Sequence, residues 1–340
     1  MATLKLTRET ISDSLLSAKN SAAAEFLSPD TAVAATATAF LAHSNPRHNV
    51  VGVGLGHKVV KGKVSSQVCV RFYVERKIPK QSIPSNFMLP AKYKGIPTDV
   101  IETGLFRAFA SIPKERSRIR PARPGCSVGF AFSGPQAGSV MAGTFGAVVE
   151  AGGKQFVLSN NHVLANENAL PIGSDIFQPG LLDKNTPTAD VIAKLSNFIT
   201  LKTGAPNQVD CAIAEVTSNK LVNAVVMPKV GKLKSGQPLA AAVSMKVEKT
   251  GRTTGFTSGT IRDISANVKV QYDIGTLTFS DQIIIVGGAS SFSDAGDSGS
   301  LIVEQSAKRP VGLLFAGSGS HTIANHIEDV LDQLKVSIVA

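Results

Sequence analysis

The sequence predicts a mainly β protein of sandwich or barrel architecture, led by a small α+β unit and closed by one helix. Three observations carry that expectation. Short β-rich runs bounded by glycine turns recur from about residue 140 onward, with almost no helical periodicity between them. Gly is abundant at 30 residues, and hydrophobic residues make up 43% of the chain against 18% charged, which excludes a disordered chain and suits strands joined by turns. Apolar residues at helical spacing gather near the two ends of the chain.

In chain order, residues 7–43 read as two helices. Ala and Leu are frequent from Leu15 to Phe26, Ser28-Pro29-Asp30 breaks the run with a new N-terminus, and an Ala-rich stretch continues to Leu41. From Asn49 the period changes. NVVGVGLGHKVV and SSQVCVRFYVERK are β-rich runs about the turn-like Lys61-Gly62-Lys63, and PTDVIETG offers a third strand. The segments IPKQSIPSNFMLP and RSRIRPARPG are irregular and proline-punctuated. The second of these, at 116–125, reads as a linker and places a domain boundary near residue 124.

Beyond that boundary, GTFGAVVEAGGKQFVLSNNHVL has the pattern of a hairpin with Gly152-Gly153 at its turn. Further strands are expected at DCAIAEV, KVEKTGRTTGFTSGTI, KVQY, TLTF, QIIIV, SLIVEQ and PVGLLFAG. Asn325 to Leu334 reads as a helix with Ile327, Val330, Leu331 and Leu334 on one face.

The net charge of +10 is uneven: residues 1–124 hold 19 Lys and Arg against 8 Asp and Glu, while residues 125–340 hold 16 against 17. Such asymmetry admits an acidic partner or nucleic acid at the basic N-terminal domain. A solvated basic face is the simpler reading, because no aromatic-interleaved basic motif accompanies the charge. The residues after Lys5 and Arg8 contain no unbroken apolar h-region, and no stretch approaches the length of a membrane span, so neither an export signal nor a membrane partner is expected. Cys69, Cys126 and Cys211 are odd in number and far apart, which favours a reducing, cytoplasmic setting.

FSDAGDSGSLIV, residues 292–303, places a serine in a glycine-flanked bend that runs into a β-branched apolar stretch. A hairpin end explains it as a turn. A nucleophile explains it equally, because such a bend can turn a hydroxyl outward while its own N–H groups converge on an oxyanion. The nucleophilic reading needs a base and an orienting acid. His162 ends the apolar strand QFVLS, and Asp210 opens the apolar strand DCAIAEV; each is weak alone. Together with Ser298 they stand in the order His, Asp, Ser, 48 and then 88 residues apart. Asp190 in TADVIAKL is a rival acid, 28 residues after His162 and without the apolar D-x-A-I continuation.

At this point the chain resembles the chymotrypsin-like (trypsin-like) serine peptidases, whose triad runs in that order. The resemblance extends over residues 140–335, and within the group it is closest to bacterial intracellular trypsin-like peptidase domains and the plant narrow-leaf-type peptidases. It implies two antiparallel β-barrels of the chymotrypsin-like fold, at about 125–225 and 226–340, with the C-terminal helix and the preceding α+β domain at either side. It implies a serine endopeptidase working on a protein or peptide substrate through an acyl-enzyme, with Ser298 as nucleophile, His162 as base and Asp210 as orienting acid. The N–H groups of Gly296 and Ser298 would form the oxyanion hole. The floor of the substrate pocket, six residues before the nucleophile, would be Phe292, and its wall Phe315, Ala316 and Gly317. No acid stands at that floor, which disfavours basic substrates unless Asp294 turns inward.

Many such enzymes are switched on when a freed N-terminus reaches the acid beside the nucleophile, here Asp297. No such start follows Arg123-Pro124, so activity without processing is expected. Neither a metal nor a cofactor is expected: His321 and His326 have no partners at ligand spacing, and Gly251-Arg252-Thr253-Thr254-Gly255 lacks the ending of a phosphate loop. The alternative function is an interaction or nucleic-acid-binding module on an inactive peptidase scaffold.

Overall fold

A computed structural model describes the chain apart from residues 1–5, 8–9, 28–48, 61–62, 109–116, 133–137, 184–189, 225–226 and 289. The first expected helix is α1, Asp13–Phe26, opened by Ser12, whose Oγ accepts from Leu15 N–H at 3.4 Å. The second expected helix lies outside the described residues. β1 (Val50–Val60) and β2 (Lys63–Val74) pair antiparallel, and β4 (Ile96–Glu102) lies parallel to β2. β3 (Lys92–Tyr93) edges this sheet, and β5 (Phe106–Ala108) leaves it. Ala18, Ala22 and Phe26 on one side of α1 are buried with Val53, Leu55, Val70 and Phe72 of β1 and β2.

The first barrel is built from β6 (Ser127–Phe130), β7 (Gly143–Thr144), β8 (Ala147–Ala151), β9 (Lys154–Ser159), β10 (Asp175–Gln178), β11 (Asp190–Phe198) and β12 (Ala212–Val216). Strand pairing runs β8-β9-β12-β11-β10-β6-β7, and β7 passes into β8 through Phe145-Gly146, which closes a ring of six. β8 and β9 form the expected hairpin, with Gly152 and Gly153 at φ +56° and +77°. β10 and β11 were not among the expected strands. The closed ring buries Phe130, Phe145, Val157, Ile176, Ile192 and Leu195 together.

The second barrel comprises β13 (Lys246–Gly251), β14 (Gly255–Tyr272), β15 (Gly275–Gly287), β16 (Leu301–Glu304), β17 (Pro310–Gly317) and β18 (His321–His326). Its ring runs β13-β16-β17-β18-β15-β14 and closes through β13–β14 pairing. KVQY is not a separate strand; it is the end of β14, and TLTF and QIIIV are one strand, β15. Register shifts between Ile261 and Asp263, Asp263 and Ala266, and Ala266 and Val268 bend the pair without ending it, and such bulges interrupt the period-two pattern that sequence reading follows. Beyond the bend β14 leaves the barrel and pairs with β1, Gly52 opposite Val268. Strands from both sides of residue 124 therefore share one sheet, and the barrel residues Ile261, Ile285, Ile302 and Leu314 are buried in the same cluster as α1.

The closing helix α3 is Ile327–Leu334 and buries Ile327, Val330, Leu331 and Leu334 as the periodicity requires. These pack with Leu158 and Ile213 of the first barrel and Leu301 and Leu313 of the second. β19 (Ser337–Ile338) then adds to β8. A buried ion pair also joins the barrels: Arg252 of the β13–β14 turn donates Nε and Nη2 to the carboxylate of Asp183, the Nη2 bond at 2.7 Å.

Candidate active site

The junction of the two barrels gathers His162, Asp210 and the loop that carries Ser298. His162 sits in a single helical turn, α2 (Asn161–Leu164), directly after β9. Asp210 lies two residues before β12, which pairs with β9. It is fully buried and its carboxylate is enclosed by donors. Oδ1 accepts from the N–H groups of Asn161 and His162 at 2.7 and 3.3 Å; Oδ2 accepts from Tyr272 Oη at 2.7 Å and is 2.5 Å from His162 Nδ1. The Asp210 backbone is fixed as well: its N–H donates to Asn325 Oδ1 at 3.1 Å and its C=O accepts from Asn160 Nδ2 at 2.8 Å. A buried carboxylate is tolerated where such a set of donors replaces water. Burial, and then the Asp210 carboxylate, push the Tyr272 hydroxyl well above its ordinary pKa, so it remains a donor.

With Nδ1 held by Asp210, the other ring nitrogen of His162 is Nε2, which is buried and has no hydrogen-bond partner among the described residues. Ser298 is 1% exposed, and its Oγ donates to the Phe315 carbonyl at a long 3.4 Å. Its carbonyl accepts from Thr144 N–H of β7 at 2.8 Å, which ties the loop to the first barrel. The histidine turn and the serine loop converge on Gly143, where a Cβ would lie 2.6 Å from Val163 Cγ2 and 3.1 Å from Ser298 O.

The loop itself is bent by glycine. Gly296 has φ +91°, and a Cβ there would meet Thr253 Oγ1 at 2.5 Å; Gly299 has φ +93°, and a Cβ would fall 2.1 Å from Ser159 Oγ. The Asp297 and Gly299 amides are committed to Asp294 O and Leu314 O at 3.0 and 2.8 Å. Among the described residues, the amides of Gly296 and Ser298 donate to no protein acceptor. The Asp297 side chain is buried and accepts from Lys249 Nζ at 3.0 Å, from Thr253 and Thr254 N–H at 2.8 and 3.1 Å, from Thr254 Oγ1 at 2.6 Å and from Asp294 N–H at 3.1 Å.

Asp190 stands elsewhere, at the start of β11, where it pairs with Arg118 and with Arg120 Nη2 at 2.8 Å. Three of the four residues expected to line the pocket divide between two apolar clusters. Phe292 is 2% exposed and packs with Ile261, Ile285 and Leu314, with Lys249 Nζ 5.9 Å from its ring centroid. Phe315 and Ala316 lie in a second cluster with Tyr272, Phe279 and Leu201, and Gly317 follows them in β17. Asp294 is exposed and accepts from Ala295 N–H at 2.8 Å. His326 caps α3 and meets Ile264 O at 2.9 Å, while His321 meets Ser320 Oγ at 2.8 Å. Sequence reasoning missed Tyr272, Asn325 and Lys249, whose parts in the site come from contacts with residues far away in the chain.

Two closed six-stranded antiparallel barrels, a helix packed across both, and a glycine-bent serine loop at their junction make this a chymotrypsin-like peptidase scaffold. Residues 205–328 match the family described as the Nal1 C-terminal domain. The chain is 27% identical over 304 residues to Protein NARROW LEAF 1 of Oryza sativa subsp. japonica, a match covering 79% of this chain and 51% of that protein. The chain thus spans about half the length of that relative. Among solved structures it is similar to a glutamic acid specific serine protease described as using a histidine triad in substrate binding, with 17% identity and a TM-score of 0.45 over 64% of this chain and 100% of that one. It is also similar to Thermobifida fusca Protease A, with 19% identity and a TM-score of 0.44 over 64% and 100%.

Proposed function

We propose that this chain is a serine endopeptidase. Ser298 Oγ attacks the scissile carbonyl carbon as His162 Nε2 takes its proton, and the oxyanion is received by the N–H groups of Gly296 and Ser298. The C–N bond then breaks as His162 returns the proton to the leaving amine. Water, deprotonated by the same nitrogen, releases the acyl group and restores Ser298. Asp210 keeps the proton of the resting imidazole on Nδ1 and stabilises the imidazolium. In this reading a χ1 rotation carries Ser298 Oγ from the Phe315 carbonyl to His162; catalytic hydrogen bonds are commonly loose before substrate arrives.

The observation that carries the reading is the buried Asp210–His162 pair, with Nε2 unpartnered among the described residues, at the same barrel junction as a glycine-bent loop whose Gly296 and Ser298 amides donate to no described acceptor. The substrate class is an extended peptide, and with no carboxylate among Phe315, Ala316 and Gly317 of β17, beside the nucleophile, small or medium apolar side chains are preferred over Lys or Arg. The three cysteines are free and buried, in keeping with a reducing cytoplasmic setting. Among the described residues no helix is long and apolar enough to cross a membrane.

A small fluorophosphonate probe tests the assignment. Wild-type chain is expected to be labelled on Ser298, located by mass spectrometry, and Ser298→Ala is expected to remain unlabelled. A folded wild-type chain that takes no label, or takes it equally in Ser298→Ala, overturns the reading.

A further inference from the structure

The edge of β17 beside the nucleophile is occupied by the chain itself. A strand has two edges, and β18 takes one of them from Gly312 to Gly317. β16 takes the other only as far as Leu313, opposite Leu301. The nucleophile loop continues along that same edge: Gly299 N–H donates to Leu314 O at 2.8 Å, and Ser298 Oγ reaches Phe315 O. The next two residues, Ala316 and Gly317, are paired antiparallel with Ala108 and Arg107 of β5. On its far side β5 is held by β14, with Phe106 opposite Val270 and Arg107 opposite Gln271 in parallel register. Phe106 is 1% exposed, clustered with Leu201, Phe315 and Ala316, its ring 6.4 Å from that of Tyr73.

An extended peptide is held most simply by adding as a strand to an open sheet edge, with main-chain hydrogen bonds supplying affinity. A peptide that brings its scissile carbonyl to Ser298 and runs antiparallel along β17 places one residue opposite Phe315 and the two preceding residues opposite Ala316 and Gly317. Those two places belong to Ala108 and Arg107, and β5 runs in the direction such a peptide would take.

We propose that β5 is an internal occupant of the peptide-binding edge, so that extended substrates bind only when β5 leaves it; the proposal rests on the peptidase reading above. An intramolecular strand competes at high effective concentration, and the apparent affinity of a peptide falls by the fraction of chains in which the edge is open. Small reagents that need only Ser298 and the oxyanion amides are not excluded by β5.

Two measurements on the full chain test this. The first compares kcat/KM for a single-residue ester and for an Ala-rich tetrapeptide amide in wild type and in Phe106→Ala, which removes the buried ring of β5. The tetrapeptide value is expected to rise at least about tenfold, mainly through KM, while the ester value stays within about twofold. A tetrapeptide value unchanged by the substitution overturns the proposal. The second needs neither turnover nor a destabilising change. In Ser298→Ala chain, a saturating Ala-rich tetrapeptide is expected to speed hydrogen exchange at the amides of residues 106–108 while protecting those of 315–317. Protection gained at 315–317 with exchange at 106–108 unaltered overturns the proposal. Because binding is read directly, a failed fluorophosphonate experiment and a failed β5 experiment remain distinct.

Discussion

Replacing Lys249 with Met should damage both stability and turnover, through Asp297. Both side chains are fully buried, and the Nζ–Oδ2 distance is 3.0 Å. Removing one member of a buried ion pair typically costs about 3–5 kcal/mol, because the other charge is left without its counter-ion. Asp297 would keep three N–H donors and the Thr254 hydroxyl, which places the expected loss at the lower end, about 3 kcal/mol. Asp297 also stands between the two amides assigned to the oxyanion, so a shift of its carboxylate misaligns them; loss of one such donor is worth about 10²–10³ in kcat. Urea denaturation with unchanged m-values reads the first effect, and ester hydrolysis the second. The double replacement Lys249→Met with Asp297→Asn removes both charges and should recover part of the stability. A Lys249→Met chain within about 0.5 kcal/mol of wild type, or a double variant less stable than the single, refutes the reasoning. The same pair bears on activation. With a lysine of the chain already on Asp297, intact protein should turn over a small ester without any cut, and an intact chain that is inert until cleaved near residue 125 would overturn that expectation.

Three further outcomes are expected. Asp210→Asn should lower kcat by about 10⁴, whereas Asp190→Asn, whose carboxylate serves Arg118 and Arg120, should leave kcat within about twofold; the reverse ranking in ester kinetics moves the acid to Asp190. Tyr272→Phe keeps the ring that stacks on Phe279 but deletes a hydrogen bond to a charged acceptor, worth about 1.5–3 kcal/mol, so kcat should fall at least about tenfold with KM unchanged, and an unaltered kcat rules out a positioning role. Burial, with Arg71 and Arg262 adding to it, pushes the His321 pKa down to about 4. Its unfolded value is near 6.5, so as pH falls from there towards 4 the unfolded chain gains a proton that the folded chain does not, and up to about 3 kcal/mol of stability is lost. Denaturation midpoints at about pH 7.5 and 4.5 should separate less in His321→Gln than in wild type, and equal separation contradicts the assignment.

His162, Asp210 and Ser298 could be singled out as candidates because each is framed by a short local motif whose backbone demands are written in adjacent residues. Gly296 and Gly299 announce a bend wherever they fall, and the apolar run after Asp210 announces β12. Tyr272 has no such frame. It ends a strand by its neighbours' pattern, and its hydroxyl reaches Asp210 only because the β14–β15 pair carries it across 62 residues of chain. Lys249 acts at a separation of 48 residues, from what reads as an ordinary strand, and Asn325 at 115, where the sequence reads the start of the closing helix but the structure has the end of β18. β14 and β15 were read as separate pieces because bulges reverse the side-chain alternation, and a reversal looks like an end. β5, three residues flanked by irregular sequence, has no periodicity to read at all.

The pairing of β1 with the far half of β14 has a practical consequence for anyone trimming the chain to its two barrels. Lys19, 2% exposed, donates to Ser265 Oγ and Asn267 Oδ1 of β14 at 3.1 and 3.2 Å, and Gly52 and Val53 cover the backbone of Asn267 and Val268. Deleting the leading hundred or so residues would bare that strand's main chain beside the apolar side chains that α1, β1 and β2 now shield. Such an edge is sticky: it recruits strands from other molecules. Recombinant protein beginning near residue 125 would then clump during purification, and poor yield would be mistaken for an inert enzyme.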